Sequence, residues 1–323
     1  MSSKPATSSA PDFSIVVPVF GNETNIPELL DRLAHLHACI RGGIRAVLVV
    51  DGSPDRSFEL LSRGLPDMPF HSKLLLLSRN FGSFAAIRAG LTEVQTPTMA
   101  VMAADMQEPS TLYQQFFEEL AQDRADVVLG TRAGREDHFR DQIASRLFWG
   151  AYRRLVQPEL PSGGVDVFAC NQAFRDHLLQ FSEANSSLVG QLIWLGFRRS
   201  EVAYIRQPRK LGRSAWTLKR KLRYLSDSVF SFSDLPIRAL LATGGVGLVL
   251  SAFFAAVVLI ARFSGMIEVP GYAATVLTVL FFSGINLLGL GIIGAYVWRA
   301  YENTKARPLS VVMLRRMYPE SLH

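Results

Sequence analysis

Ala100-Val-Met-Ala-Ala-Asp-Met-Gln-Glu-Pro109 is apolar until it meets a carboxylate, an amide and a second carboxylate in quick succession. Short apolar runs bounded by turn residues read as buried strands. In open α/β sheets, ligands bind beyond the carboxyl ends of such strands. Asp105, Gln107 and Glu108 are therefore expected on a sheet edge where chemistry takes place. Hard oxygen donors one or two residues apart suit Mg²⁺ or Mn²⁺, which keep waters and phosphate oxygens in their remaining positions. A plainer alternative has Asp105 opening a loop and Glu108-Pro109 starting a helix from Thr111 to Gln122, since acids favour helix starts without any metal. The surroundings decide between the two.

The same pattern recurs on either side. Phe13 to Val19 is an apolar run ending in Pro18-Val-Phe-Gly-Asn-Glu23, and Leu29, Leu30, Leu33 and Leu36 follow at helical spacing. Ile44 to Val50 ends in Asp51-Gly-Ser-Pro-Asp55, Lys73 to Leu77 in Ser78-Arg-Asn-Phe-Gly82, Thr98 to Met102 in the stretch quoted first, and Asp126 to Leu129 in Gly130-Thr-Arg132. Strand, loop and helix at this pitch predict an α/β domain with a mostly parallel sheet and helices on both faces. Each strand end carries a polar group, Glu23, Asp51, Arg79 with Asn80, Asp105 and Arg132 in turn, so these should converge along one edge. No G-x-G-x-x-G follows the first strand and no P-loop occurs, which disfavours a Rossmann dehydrogenase or a Walker-type NTPase.

The 323 residues are 49% hydrophobic, unevenly distributed. Neither Ala239 to Ala261 nor Val269 to Trp298 contains a charge, and each run exceeds the ~20 residues that a helix needs to cross a bilayer. The net charge of +6 gathers beside these runs, from Arg209 to Arg223 before the first and from Arg299 to Arg316 after the second, rather than along a nucleic-acid face. By the positive-inside rule both termini and the catalytic domain are expected on the cytoplasmic side of a plasma (inner) membrane, in a multi-pass topology. Two cysteines, Cys39 and Cys170, are too few for a disulfide framework. The division expected is a polar disordered tail over 1–12, a catalytic domain over 13–213, an amphipathic juxtamembrane segment over 214–237, spans at about 239–261 and 271–298 within 238–298, and a cytoplasmic tail over 299–323.

Taken together, PVFGNETNI (18–26), VVDGSPD (49–55), LSRNFGSFAAIRAGL (77–91), AADMQEP (103–109), VVLGTR (127–132) and GRSAWTLKRK (212–221), followed by two late apolar runs, resemble the family 2 glycosyltransferases of GT-A fold. Among these the chain is most similar to the polyprenyl-phosphate type, such as dolichol-phosphate mannose synthase and bactoprenol glucosyltransferases. The resemblance spans roughly Phe13 to Tyr301. It implies an inverting enzyme that moves a sugar from a nucleotide sugar, with a UDP-sugar as the default, to the phosphate of a membrane polyprenol. It also implies roles for individual residues. Pro18, Phe20, Glu23, Asp51, Ser78 and Asn80 would bind the nucleotide sugar. Asp105 and Gln107 would hold Mg²⁺ or Mn²⁺. Asp105, Arg132 and Asp166 would form the catalytic group. Arg206, Arg209, Ser214 and Lys219 would receive the lipid phosphate. Val50 and Ala103 stand where family members usually carry aspartates, and Ser83 where a lysine is common.

Gly163-Gly164-Val-Asp166 reads as a tight turn into a short strand bearing one acid, with a helix beginning near Asn171. Asn185 to Gly196 reads as a capped helix with Trp194 in the core, and Val202 to Arg206 as an edge strand. Aromatic and aliphatic residues interleaved with Lys219, Arg220, Lys221 and Arg223 describe a helix lying in the bilayer interface, in contact with membrane lipids. Glycines in both spans permit close helix contacts, so a homo-oligomer is expected. Two further readings stay open: a catalytically silent membrane scaffold, recommended by Val50 and Ala103, and a processive polysaccharide synthase, which needs more spans and a Q-x-x-R-W motif that this sequence lacks.

Overall fold

The apolar runs form strands because both sides of each are covered. A computed structural model describes residues 13–132, 159, 161, 164–183, 185–207, 229–230, 233, 235–264 and 271–319. Strands β1 (Phe13–Val19), β2 (Ile44–Val50), β3 (Ser72–Leu77), β4 (Thr98–Val101), β5 (Val127–Arg132), β6 (Val165–Asn171) and β7 (Arg199–Tyr204) make one sheet with a C-terminal strand β8 (Val312–Tyr318). Ile15, Val17 and Val19 of β1 and Ala46, Leu48 and Val50 of β2 pack with helices α1 (Ile26–Cys39), α2 (Ser57–Gly64) and α4 (Ser110–Ala121). The alternate residues Val16, Val47 and Val49 pack with α3 (Ser83–Thr92), α5 (Gln172–Leu178) and α6 (Leu188–Trp194) on the other face. Burial on both faces makes these strands almost continuously apolar.

The strand order is β7-β5-β6-β4-β1-β2-β3-β8. Strands β4, β1, β2 and β3 run parallel, whereas β6 lies antiparallel between β4 and β5, and β8 lies antiparallel to β3. The sheet is thus mixed, and wholly parallel only in its central block. Apolar periodicity reports which residues are buried, not which way a strand points. β1 pairs with β2 as far as Val19↔Val50 but with β4 only as far as Val16↔Val101, so β1 and β4 part at their carboxyl ends. This opening is the switch point at which α/β sheets bind ligands. Pro18 sits on the diverging stretch, where a missing N–H breaks no bond to β4.

The segment after Trp298, expected as a tail, is helical to Thr304 and then returns to the catalytic sheet as β8. Arg315-Arg316 interrupts the alternation of Val312 and Leu314, and this hid the strand. Arg315 pairs with Glu93, and the Arg316 guanidinium lies 5.4 Å from the Phe58 ring centroid. Charged side chains of this kind are usual on an edge strand. Trp194, expected in the core, is 68% exposed, because α6 turns Leu192 and Ile193 inward and leaves the indole edge-on to Phe181.

Two long helices, α7 (Leu235–Phe263) and α8 (Tyr272–Thr304), follow the catalytic domain; α7 exceeds the expected span at both ends and α8 at its C-terminal end. They meet where a Cβ on Gly289 would lie 3.1 Å from Leu240 and one on Gly247 3.4 Å from Phe282. Among the described residues, Phe281–Thr304 is long and apolar enough to cross a membrane. Most of the amphipathic segment expected over 214–237 lies outside the described residues. Its Phe230 ring packs 5.2 Å from Tyr296 and 5.0 Å from the Arg299 guanidinium of α8.

One glycine is dictated by the packing of two strand-end loops. Gly52 has φ +56°, and a Cβ there would lie 2.3 Å from the carbonyl carbon of Arg79 and 2.5 Å from the Asn80 nitrogen. Gly52→Ala should therefore cost more than roughly 2 kcal/mol, against about 1 kcal/mol for Gly21→Ala, whose left-handed φ of +65° has open space around it. Thermal unfolding of both variants checks this; equal losses would show that the loops do not press on Gly52.

Candidate active site

The first three strand-end loops are stitched together by their acids. Both Asp51 oxygens accept backbone N–H bonds, from Phe81 at 2.7 Å and from Gly82 at 2.8 Å. Burial raises the Asp51 pKa, and these two N–H groups and Arg79 pull it back. The sequence reading set Asp51 against the nucleoside; at 2% exposure it instead anchors the loop that follows β3. Asp55, which that reading passed over, accepts from the Ser53 hydroxyl at 2.6 Å, the Ser57 N–H at 3.1 Å and the Glu23 N–H at 3.0 Å. Burial acts to raise its pKa, but these bonds prevail and hold it below the usual value. The Glu23 carboxylate in turn accepts from the Arg56 N–H at 3.1 Å. A Ser-Pro-Asp turn ahead of a helix is the local signal that could have marked Asp55. Phe20, Ser78 and Asn80 stand exposed on this rim, and the Ser78 N–H donates to the Val311 carbonyl ahead of β8.

The second group gathers at the ends of β4 to β7. Arg132, the last residue of β5, makes a bidentate pair with Asp166 on the adjacent β6. A register shift between Gly130 and Thr131 sets the approach of the two side chains. The Tyr204 hydroxyl, from the other neighbour of β5, donates to Asp166 at 2.8 Å. Burial works to raise the Asp166 pKa, and Arg132, Tyr204 and Arg206 outweigh it, so the group is held below its usual value. Burial first, and then the charge of Asp166 and the bond to it, raise the Tyr204 pKa and keep its hydroxyl a donor. Tyr204 carries no signal of its own in the sequence.

Asp105 lies on the turn after β4, with Met106 in the left-handed region at φ 53° and its N–H on the Ala103 carbonyl at 3.3 Å. A non-glycine residue held there marks strain of the kind that functional turns carry. Gln107 is tied to the chain after β7 three times. Its Oε1 accepts from Arg206, its Nε2 donates to the Gln207 carbonyl at 3.0 Å, and its carbonyl accepts the Gln207 N–H at 2.8 Å. Arg32 of α1 clasps the turn from behind through the Glu108 carbonyl at 2.8 Å. Arg209, Ser214 and Lys219, expected to receive the lipid phosphate, lie outside the described residues, so Arg206 is the member of that set whose place is given.

The turn fits a divalent cation. Glu108 is 2% exposed, its Oε2 is buried without a hydrogen-bond partner among the described residues, and its pKa is pushed up to about 7 by burial first and then by the charge of Asp105. Crowded acids beside an amide oxygen are the hard donor set that Mg²⁺ or Mn²⁺ takes. The Gln107 carbonyl oxygen has two lone pairs, so its bond to Arg206 leaves one for a cation. Val50, in place of an acid, is fully buried in the core that packs with α1 and α2.

The sequence profile of glycosyl transferase family 2 matches residues 14–181. A glycosyltransferase of Bacillus subtilis (strain 168), CsbB, is 32% identical over 295 residues, 91% of this chain and 89% of that one. Undecaprenyl-phosphate 4-deoxy-4-formamido-L-arabinose transferase of Yersinia pestis (strain Pestoides F) is 29% identical over 300 residues, 91% of this chain and 90% of that one. Among solved structures, the mannosyltransferase PcManGT from Pyrobaculum calidifontis in complex with GDP-Man and Mn²⁺ is similar at a TM-score of 0.46 and 14% identity, covering 90% of this chain and 88% of that one.

The lowered pKa of Asp166 has a sign. Its stabilising contribution is complete above the ordinary aspartate value of about 4 and is lost only as pH falls through the lower folded value, so the pair is intact from pH 5 upward. In Arg132→Gln the opposing effect of burial is left to dominate and the Asp166 pKa rises. The variant should lose roughly 100-fold in turnover and acquire an acid limb in its pH–rate profile above pH 5 that the unmodified protein lacks. A variant profile parallel to the unmodified one would show that the pair does not set the charge of Asp166.

Proposed function

The chain belongs to glycosyl transferase family 2, and from that premise we propose that it transfers a sugar, with inversion, from a nucleotide sugar to a polyprenyl phosphate at the cytoplasmic face of a plasma membrane. The observation that carries this reading is the triple tie of Gln107 to Arg206 and Gln207. It fastens the Asp105 turn, at the sheet's switch point, to the chain that runs on through the basic residues from Arg209 to Arg223 into α7 and α8. A donor corner and a lipid-facing segment thus share one seam. Both helices are taken to cross the bilayer, and their exposed apolar residues, among them Leu241, Phe253, Phe281 and Leu288, to meet lipid.

The chemistry asks little of the protein as a base. A phosphate monoester has its second pKa near 6, so the acceptor is largely a dianion at neutral pH. One of its oxygens attacks the anomeric carbon as the bond to the nucleoside diphosphate breaks, giving a polyprenyl phosphosugar with the configuration inverted. What remains is alignment and neutralisation of charge. Asp166, held ionised by Arg132 and Tyr204, orients the sugar and removes no proton. Arg206 and the basic segment after it hold the acceptor phosphate. The loops stitched by Asp51 and Asp55 form the wall for the nucleoside, with Phe20 and Asn80 on its rim. A divalent cation held by Asp105 and Gln107 would neutralise the departing diphosphate. A UDP-sugar is the favoured donor, and the paired helices suit a homo-oligomer in the membrane.

The test is transfer itself. Purified protein given labelled UDP- and GDP-sugars, Mn²⁺ and undecaprenyl phosphate should put label into the organic phase, and Asp105→Asn should lower that transfer by more than roughly 100-fold without lowering Tm. If no donor gives lipid-extractable label, the proposal fails.

A further inference from the structure

A second cavity lies at the opposite, amino-terminal edge of the parallel strands. It has a volume of about 250 Å³ and is lined by Ser14, Arg45, Lys73, Glu93, Gln95 and Met317 among others. Side chains alternate across a sheet, and the register sets Val47 beside Lys73 and Lys73 beside Met317, so Arg45, Lys73 and Met317 stand on one face. The acid here is already matched. Glu93 accepts from Lys73 through its carboxylate at 3.2 Å and its carbonyl at 2.8 Å, and also pairs with Arg315 of β8. Within the lining, Arg45 and Lys73 thus set two positive charges against the one negative charge of Glu93, and Arg315 reaches Glu93 from outside it. The Nε of Arg45 is buried with no hydrogen-bond partner among the described residues.

A water occupies about 30 Å³, so the space has room for a polyatomic anion in place of several waters, and the positive excess of its lining favours one. A guanidinium fork with a vacant Nε–H matches the paired oxygens of a phosphate or carboxylate. We infer that this cavity is a second ligand site, which takes a small oxyanion, a phosphate or the phosphate end of a small ester, through Arg45. Arg45 belongs to β2 and Met317 to β8, so an anion bound at Arg45 lies across β3 from the strand that returns from α8. Occupancy of the site therefore adds a contact to β8 beyond its ladder with β3. This inference is independent of the transferase reading, because none of these residues lies at the carboxyl edge of the sheet.

The full chain in detergent, titrated with inorganic phosphate to about 10 mM against chloride at matched ionic strength, should show a saturable rise in Tm and several-fold slower amide exchange over residues 312–318. Arg45→Gln should abolish both effects and keep its glycosyl transfer. A response no larger than that to chloride means a cavity holding water only and overturns the site. An equal response in Arg45→Gln means that phosphate acts elsewhere, for instance at the catalytic edge, and also overturns it. Should Arg45→Gln fail to fold, Arg45→Lys keeps the charge and loses the fork; it should bind phosphate at least roughly 5-fold more weakly, and unchanged binding would sink the inference.

Discussion

A carboxylate taken out of water must be compensated, and the carboxyl edge of this sheet is built around that requirement. Asp51 is answered by two backbone N–H groups, Asp55 by two hydroxyl or amide donors on its own turn and the Glu23 N–H, and Asp166 by a guanidinium and a phenol. Each answer joins one loop to another, so compensation and architecture are the same set of bonds. The turn after β4 is the exception. Glu108 keeps a buried oxygen without a partner and is driven toward the protonated state beside Asp105. The shortfall of positive charge falls where the family resemblance sets a cation, and the electrostatics reach that position without the resemblance.

Much of this was legible before any coordinates. Five strand ends, with their polar residues, could be read from apolar runs that stop at turns, because a strand buried on both faces admits no polar residue until it leaves the sheet. Strand direction could not be read, since β6 looks the same whether it runs with or against β4. Nor could β8, whose two adjacent arginines break the alternation and sit on an edge that tolerates them. The loop-anchoring bonds of Asp51 were hidden for a related reason. An acid after a strand is as suited to accepting N–H groups from the next loop as to facing a ligand, and only the 2.3 Å that a Cβ on Gly52 would leave to Arg79 shows how closely that loop is pressed.

Strand β8 changes how the membrane segment relates to the catalytic domain. Leaving from β7 and returning to β3, the chain makes its excursion through α7 and α8 between opposite ends of the sheet. The sheet is therefore joined to the chain on either side of this excursion, at Gln207 by the Gln107 seam and along β8 by six paired positions with β3.

The Arg206 guanidinium has five donors, and the bond to Gln107 Oε1 uses one, so the same side chain can hold the metal turn and still offer its exposed face to an incoming phosphate. An acceptor that draws Arg206 away would release an amide oxygen beside Asp105, and one that leaves the bond in place would be held at a fixed distance from it. In either case, under the proposed function, the arrival of the acceptor would be felt at the donor corner through a single side chain, with no movement of the sheet.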